Sequence, residues 1–151
     1  MRRLLASTMS IAITAIVLVP SVLGCECVED KRPAKERIKA LLPSSVIASG
    51  RAIKVERRAG RPYDPYTTTF AVSRAWRNVN TPTLLLFSNG GQCQTGFQEG
   101  TEYLLIGHLE AGRVQVRQCS ETLPLNEAGP LVKALGAPRY VPAPKQDPSI
   151  K

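Results

Sequence analysis

Histidine and aromatic residues are scarce in this 151-residue chain, and their scarcity excludes several kinds of active site. His108 is the single histidine, and aromatic side chains make up 5% of the residues. A multi-histidine metal centre or a Ser-His-Asp triad therefore lacks parts, and His108 falls on a predicted strand face. No phosphate-loop lysine and helix follow Gly90-Gly91 at the needed spacing, and the carboxylates form no catalytic pairing pattern. We expect a protein that is not an enzyme and needs no cofactor.

A long apolar run is also missing. Residues 11–19 are apolar but form a stretch too short to span a bilayer comfortably. They follow Arg2 and Arg3 and precede small residues that end at Gly24, which predicts a signal peptide over residues 1–24. The mature protein is then exported, either secreted or periplasmic. Residues 22–25 also resemble a lipobox, in which Cys25 would carry a lipid anchor.

Acidic residues are outnumbered, since 20 Lys and Arg face 12 Asp and Glu for a net charge of +8. Part of the excess is clustered in one stretch, at Arg51, Lys54, Arg57, Arg58 and Arg61. No aromatic side chains interleave these residues, so a nucleic-acid platform is not expected. One interpretation is an ordinary solvated strand and loop. The other is a basic face that binds an anionic envelope surface or acidic partners.

Four cysteines lie in the predicted mature chain: Cys25, Cys27, Cys93 and Cys119. An even number in an exported protein indicates two disulfides, for which three pairings exist. A zinc site is disfavoured, because Cys-x-Cys is tighter than the usual zinc-ligand spacing and the compartment is oxidising. Lipidation of Cys25 would leave an odd three. Cleavage after Gly24 would place Cys25, Glu26 and Cys27 at the mature N-terminus.

The pattern after Cys27 is mostly β. Five strands are predicted, over residues 46–56, 67–76, 83–87, 102–109 and 113–119, with helices over 33–42 and 125–135. Gly50 is expected to be a bulge, and Phe70, Val72 and Trp76 are expected to share one strand face. The proline-rich residues 137–151 are predicted to be a disordered tail. This order suggests a mainly β, five-stranded Greek-key barrel of the OB type over residues 25–136, with short N-terminal and C-terminal helices. The protein is expected to be a monomer.

An ordered set of cysteine, glycine and aromatic positions runs through nearly all of this domain. It consists of Cys25-x-Cys27, Phe70-x-Val72-x-x-x-Trp76, Cys93-x-x-Gly96-Phe97-x-x-Gly100-x-x-Tyr103, and Cys119. The set resembles the N-terminal domain of the tissue inhibitors of metalloproteinases and, more widely, the netrin-like module, in a minimal and bacterial-type version. The resemblance implies an OB barrel and the disulfides Cys25–Cys93 and Cys27–Cys119.

The resemblance also implies a partner, a zinc metalloprotease. In the family the first cysteine chelates the protease's zinc through its α-amine and carbonyl oxygen, groups that belong to Cys25 in this chain. Neighbouring loops, including Ser88, Asn89, Gly90 and Gly91, would then flank the contact. The chain departs from the family at Glu26, where a small residue usually enters the specificity pocket, because an unpaired carboxylate is costly to bury there. The competing interpretation is that the Cys-x-Cys clamp is structural and inhibits nothing.

Overall fold

Six strands and two short helices make up the fold in the computed structural model, which describes Cys27 and residues 30–57, 65–90, 96–117 and 119–143. In chain order the elements are α1 (Ala34–Ala40), β1 (Ser45–Arg57), β2 (Tyr66–Arg77), β3 (Thr83–Ser88), β4 (Glu102–Glu110), β5 (Arg113–Gln115), β6 (Leu123–Pro124) and α2 (Gly129–Leu135). Strands β1, β2, β3, β5 and β4 pair in that order, and β4 pairs again with β1, which closes a barrel. The predicted OB-like barrel is confirmed, with β6 as an extra strand paired to β4.

The barrel has one core inside and a second core outside. Strand β1 contributes to both: Val46 and Ala48 point into the interior, whereas Ile47 joins the outer core. The outer core packs β1 and β4 against both helices, through Ile38 of α1 and Leu131 of α2. This arrangement explains why the first six residues of β1 are buried without alternation.

The register is irregular at Gly50, where a bulge was predicted, but the extra residue between Ser49 and Gly50 belongs to the partner strand β2. The extra residue of β1 itself is Ile53, because Ala52 pairs with Phe70 and Lys54 pairs with Thr69. The side chain of Ile53 is 51% exposed. Gly50 has a different role: a Cβ there would lie 1.9 Å from the carbonyl oxygen of Ala71. Glycine at this position lets β1 and β2 approach closely.

The expectation that Trp76 shares a face with Phe70 and Val72 is wrong. The register of β2 skips from Val72 to Arg74 opposite Gly50 and Ser49, so one extra residue shifts the alternation. Phe70 and Val72 lie in the inner core, whereas Trp76 lies in the outer core. Its indole N–H donates to the carbonyl oxygen of Gly136 at 2.8 Å, which ties β2 to the end of α2.

The last two predicted elements are shorter than expected. Strand β5 ends at Gln115 rather than Cys119, and α2 begins at Gly129 rather than Leu125, with a proline in its first turn. The chain remains packed beyond Gly136, because Tyr140 forms a β-bridge with Ala75 and contacts the inner core. The rest of the predicted tail, residues 144–151, lies outside the described residues, as does the predicted signal peptide.

Candidate functional site

The N-terminal edge of the domain is attached to the barrel by a disulfide bond between Cys27 and Cys119. The two Cα atoms are 5.4 Å apart, and the bond joins residues separated by 92 positions. This is one of the two pairs that the family resemblance implies. The other pair, Cys25 and Cys93, lies outside the described residues together with Glu26.

The loop that carries Cys119 is attached to two other elements. The Thr122 hydroxyl accepts a hydrogen bond from the Ile106 N–H at 3.0 Å and donates one to the Ile106 carbonyl oxygen at 3.1 Å, both in buried surroundings. The Glu121 carboxylate forms a two-point ion pair with Arg37 of α1, in which Nε donates to Oε1 at 2.8 Å. The disulfide therefore anchors Cys27 to a loop that is itself held by β4 and α1.

The segment after Cys27 carries an internal charge pair. The Arg32 guanidinium donates to both oxygens of Asp30, at distances down to 2.6 Å, and the Arg32 main-chain N–H donates at 3.0 Å. The side-chain hydrogen bond from Arg32 is the largest of the influences that lower the pKa of Asp30, to about 2. Asp30 is therefore ionised at physiological pH, and its carboxylate is paired with the Arg32 guanidinium.

The predicted contact loop begins at the end of β3. Ser88 is 7% exposed, and its Oγ accepts a hydrogen bond from the Gly90 N–H at 3.4 Å. Gly90 has a φ of 79°, a backbone conformation that favours glycine. Ser88 and Asn89 line a cleft of about 240 Å³ with Tyr66 of β2. Gly91 lies outside the described residues.

Three residues of the predicted basic face, Arg51, Lys54 and Arg57, lie in the described part of the chain. Arg51 Nη2 lies 3.5 Å from a carboxylate oxygen of Glu102, and Lys54 Nζ lies 2.7 Å from one of Glu56, whose hydrogen bond raises the pKa of Lys54. The guanidinium of Arg57 lies over the ring of Tyr66 instead, 5.2 Å from its centroid. Each of these three cations thus has a neighbour that binds it. Arg58 and Arg61 lie outside the described residues.

A second cleft was not predicted from the sequence. It has a volume of about 520 Å³ and lies between the start of β3 and the β4–β5 hairpin, where Leu85 and Leu109 line it. Both clefts share Phe87 and Arg113. The sequence signal was the uninterrupted apolar run at residues 84–87, because successive side chains of a strand point to opposite faces and the run therefore places apolar side chains on both faces of β3.

The described residues contain no group of three or more His, Cys, Asp or Glu side chains arranged to hold a metal ion. Within the same residues, no helix is both long and apolar enough to cross a membrane. Comparison of the sequence with protein-family models and with curated proteins finds no match.

Proposed function

We propose that this protein is an exported, disulfide-stapled binding module that blocks a zinc metalloprotease through the α-amine and carbonyl oxygen of Cys25. The observation that carries the proposal is the Cys27–Cys119 disulfide, which fastens the predicted mature N-terminus to the barrel. The inhibitory chemistry comes from the family resemblance. The disulfide supports the proposal by supplying the attachment that this chemistry requires.

Covalent geometry limits how far the Cys25 amine can move. Consecutive Cα atoms are about 3.8 Å apart and an extended chain advances at most about 3.6 Å per residue, so two residues span about 7 Å. Adding the 5.4 Å between the Cα atoms of Cys27 and Cys119 keeps the Cα of Cys25 within about 13 Å of the barrel loop. An N-terminus restricted in this way loses less conformational freedom on binding than a free one does.

The amine and carbonyl oxygen of one residue suit a catalytic zinc ion. Such an ion has three protein ligands and an open position that normally holds water. A free α-amine has a pKa near 8, so part of it is neutral at physiological pH, and binding to the metal favours that form further. A lipid on the Cys25 amine, or a retained signal peptide, would prevent chelation.

Glu26 narrows the range of targets. Its carboxylate would point toward the protease's specificity pocket, and an apolar pocket would bury that charge without a partner. We infer that the target has a pocket with a basic side chain or one wide enough to keep the carboxylate hydrated. The Glu26→Thr variant is then expected to weaken inhibition of the native target and to improve inhibition of proteases with apolar pockets.

The intact mass of the natively exported protein is the first test. The proposal requires a form that begins at Cys25, is unmodified, and gains four hydrogens on reduction of two disulfides. A mass raised by diacylglycerol and acyl chains would contradict it, because the chelating amine would be blocked.

The inhibition assay then uses that exported form against a panel of zinc metalloproteases, with Glu26→Thr as the test variant and Glu56→Thr as the matched control. Glu56 is exposed and bound by Lys54 on β1, so its replacement is expected to leave inhibition unchanged. Absence of inhibition across the panel, with a free Cys25 amine, would favour a purely structural clamp.

A further inference from the structure

The two clefts described above meet at a single pair of side chains. The guanidinium of Arg113 lies over the ring of Phe87, 5.0 Å from its centroid, and both residues line both clefts. We call the smaller one, which also contains Tyr66, Ser88, Asn89 and Gln115, the polar cleft. The larger one, which contains Val79, Leu84, Leu85 and Leu109 beside Asn78, Asn80, Thr81 and Thr83, we call the aliphatic cleft after its leucines. Arg113 is thus positioned where the two clefts meet, with exposed leucines on one side of it.

The aliphatic cleft exists because β3 and β5 pair over only part of their length. Their register consists of Leu86 opposite Val114 and Phe87 opposite Gln115. Residues 83–85, the first half of β3, therefore have no partner in this pairing with β5, and we call the gap beside them the seam. Leu85 and Leu109 line the seam, and their side chains are 49% and 50% exposed. They are among the large apolar side chains that remain exposed to water in the described residues. Covering such side chains is favourable in proportion to the apolar area removed from water.

Arg113 supplies the charge at the seam. Among the described residues, no carboxylate lies within ion-pair distance of it. The described lining of both clefts contains no acidic side chain. Stacking on Phe87 orients the guanidinium and reduces the freedom that it would lose on binding an anion. A guanidinium has a planar array of donors that matches a carboxylate in a two-point interaction.

We propose that the Arg113–Phe87 ridge binds an aliphatic carboxylate, with the carboxylate on Arg113 and the hydrocarbon chain in the aliphatic cleft between Leu85 and Leu109. The amides of Asn89 and Gln115 line the polar cleft and offer further donors near the charged end. Two sources share this chemistry: a free fatty acid and a peptide whose C-terminal residue is aliphatic. This site is separate from the Cys25 amine, but Ser88 and Asn89 of the polar cleft also belong to the loop predicted to flank the protease contact, so ligand binding is measured directly and not through inhibition.

The experiment is a titration of the oxidised mature protein at pH 7, followed by calorimetry and by chemical shifts of the main-chain amides. Octanoate and N-acetyl-leucine represent the two sources. Acetate carries the charge without the chain, and octanol carries the chain without the charge. We expect octanoate or N-acetyl-leucine to bind at least tenfold more tightly than both comparators, with shifts centred on β3 and the β4–β5 hairpin. The tighter of the two identifies the source.

Two variants locate the site. Arg113→Gln is expected to weaken binding about tenfold or more, since hydrogen bonds to charged groups are among the stronger ones. Arg74→Gln is the matched control, because Arg74 lies over Trp76 in the same cation-over-ring arrangement, 5.7 Å from the ring, but lines neither cleft. Leu109→Asn should weaken binding without removing the charge.

Three results would overturn the proposal. The first is binding by Arg113→Gln that equals the wild type, provided that the urea midpoint shows the variant to be folded. The second is equal affinity for octanol and octanoate, which would leave no role for the carboxylate. The third is the absence of binding by both octanoate and N-acetyl-leucine.

Discussion

The Glu99 carboxylate accepts a hydrogen bond from the main-chain N–H of Val55 at 2.7 Å, although the two residues are 44 positions apart. Strand β1 continues past the end of its pairing with β4, which stops where Arg51 meets Glu102. The turn before β4 takes over from there, since Gly100 N–H donates to the Ala52 carbonyl oxygen at 2.8 Å. Glu99 thus supplies with its side chain the acceptor that a longer β4 would have supplied with its backbone.

Replacing Glu99 by alanine should lower the free energy of unfolding by about 1–2 kcal/mol, because a charge-assisted bond is lost and the Val55 N–H is left to water. Urea denaturation measures the change. Glu102→Ala is the control: its contact with Arg51 is 3.5 Å long and about half exposed, so we expect a loss below about 0.5 kcal/mol. Equal losses for the two variants would contradict the role assigned to Glu99.

Gly50→Ala should be strongly destabilising, by about 1–3 kcal/mol or more, because the added methyl group meets backbone that cannot move independently. A Cβ at Gly50 would lie 1.9 Å from the Ala71 carbonyl oxygen and 2.8 Å from the Phe70 ring. Gly96→Ala is the control, since a Cβ there meets nothing within 4 Å. Thermal unfolding of both variants gives the comparison, and a Gly50→Ala protein as stable as Gly96→Ala would refute the close approach.

Tyr66→Phe should leave stability unchanged or raise it by up to about 1 kcal/mol, because the variant removes a buried hydroxyl that has no hydrogen-bond partner. Burial raises the pKa of this hydroxyl, and although Ser88 and the Phe97 main chain act in the opposite direction, neither forms a hydrogen bond with it. Tyr103→Phe is the matched control, since its hydroxyl accepts from the Gln98 N–H at 2.9 Å. We expect it to lose about 1 kcal/mol.

The buried phenol of Tyr66 should also make the stability of the protein depend on pH. Burial is the main cause that raises the pKa of Tyr66 in the folded state. The unfolded phenol ionises at its ordinary pKa near 10, so above that pH the folded protein binds more protons and its stability falls as the pH rises. Urea midpoints between pH 8 and pH 11 should show a smaller fall in Tyr66→Phe than in the wild type. An identical fall would contradict the burial of this hydroxyl.

Removing the Cys27–Cys119 bond with the double variant Cys27→Ser/Cys119→Ser should cost about 4.6 kcal/mol, the chain-entropy value for a loop of this length. A second, overlapping disulfide would reduce the loss. Guanidinium denaturation under non-reducing conditions measures the effect, and the fully reduced wild type provides the comparison. A loss below about 1 kcal/mol would show that the bond does not hold the N-terminal edge to the barrel.

The sequence predicted where strands lie better than which way their side chains point. Alternation and turn residues placed the five main strands to within a few residues, except for the end of β5. The extra residues at Ile53, Ser73 and Trp76 interrupt the alternation of inside and outside positions, and no local pattern marks Ser73. Strand β6 is two residues long, which is too short for a periodic signal to appear.

The candidate site was predictable only in part. The Cys27–Cys119 pair followed from a resemblance and not from spacing, since spacing left three pairings open. The Arg113–Phe87 contact joins residues that are 26 positions apart in the chain. It forms where the short strands β3 and β5 pair in parallel. Such a contact depends on how the barrel closes, which individual strand patterns do not specify.

The most direct test of the proposed function compares two forms of the exported protein: one that begins at Cys25 and one with a single alanine before it. Both are assayed as inhibitors of the zinc metalloprotease panel. The alanine converts the Cys25 amine into an amide, which no longer serves as a zinc ligand, and we predict that the inhibition constant rises about a hundredfold, or about 3 kcal/mol. Equal inhibition by the two forms, or none by either, would contradict chelation by Cys25.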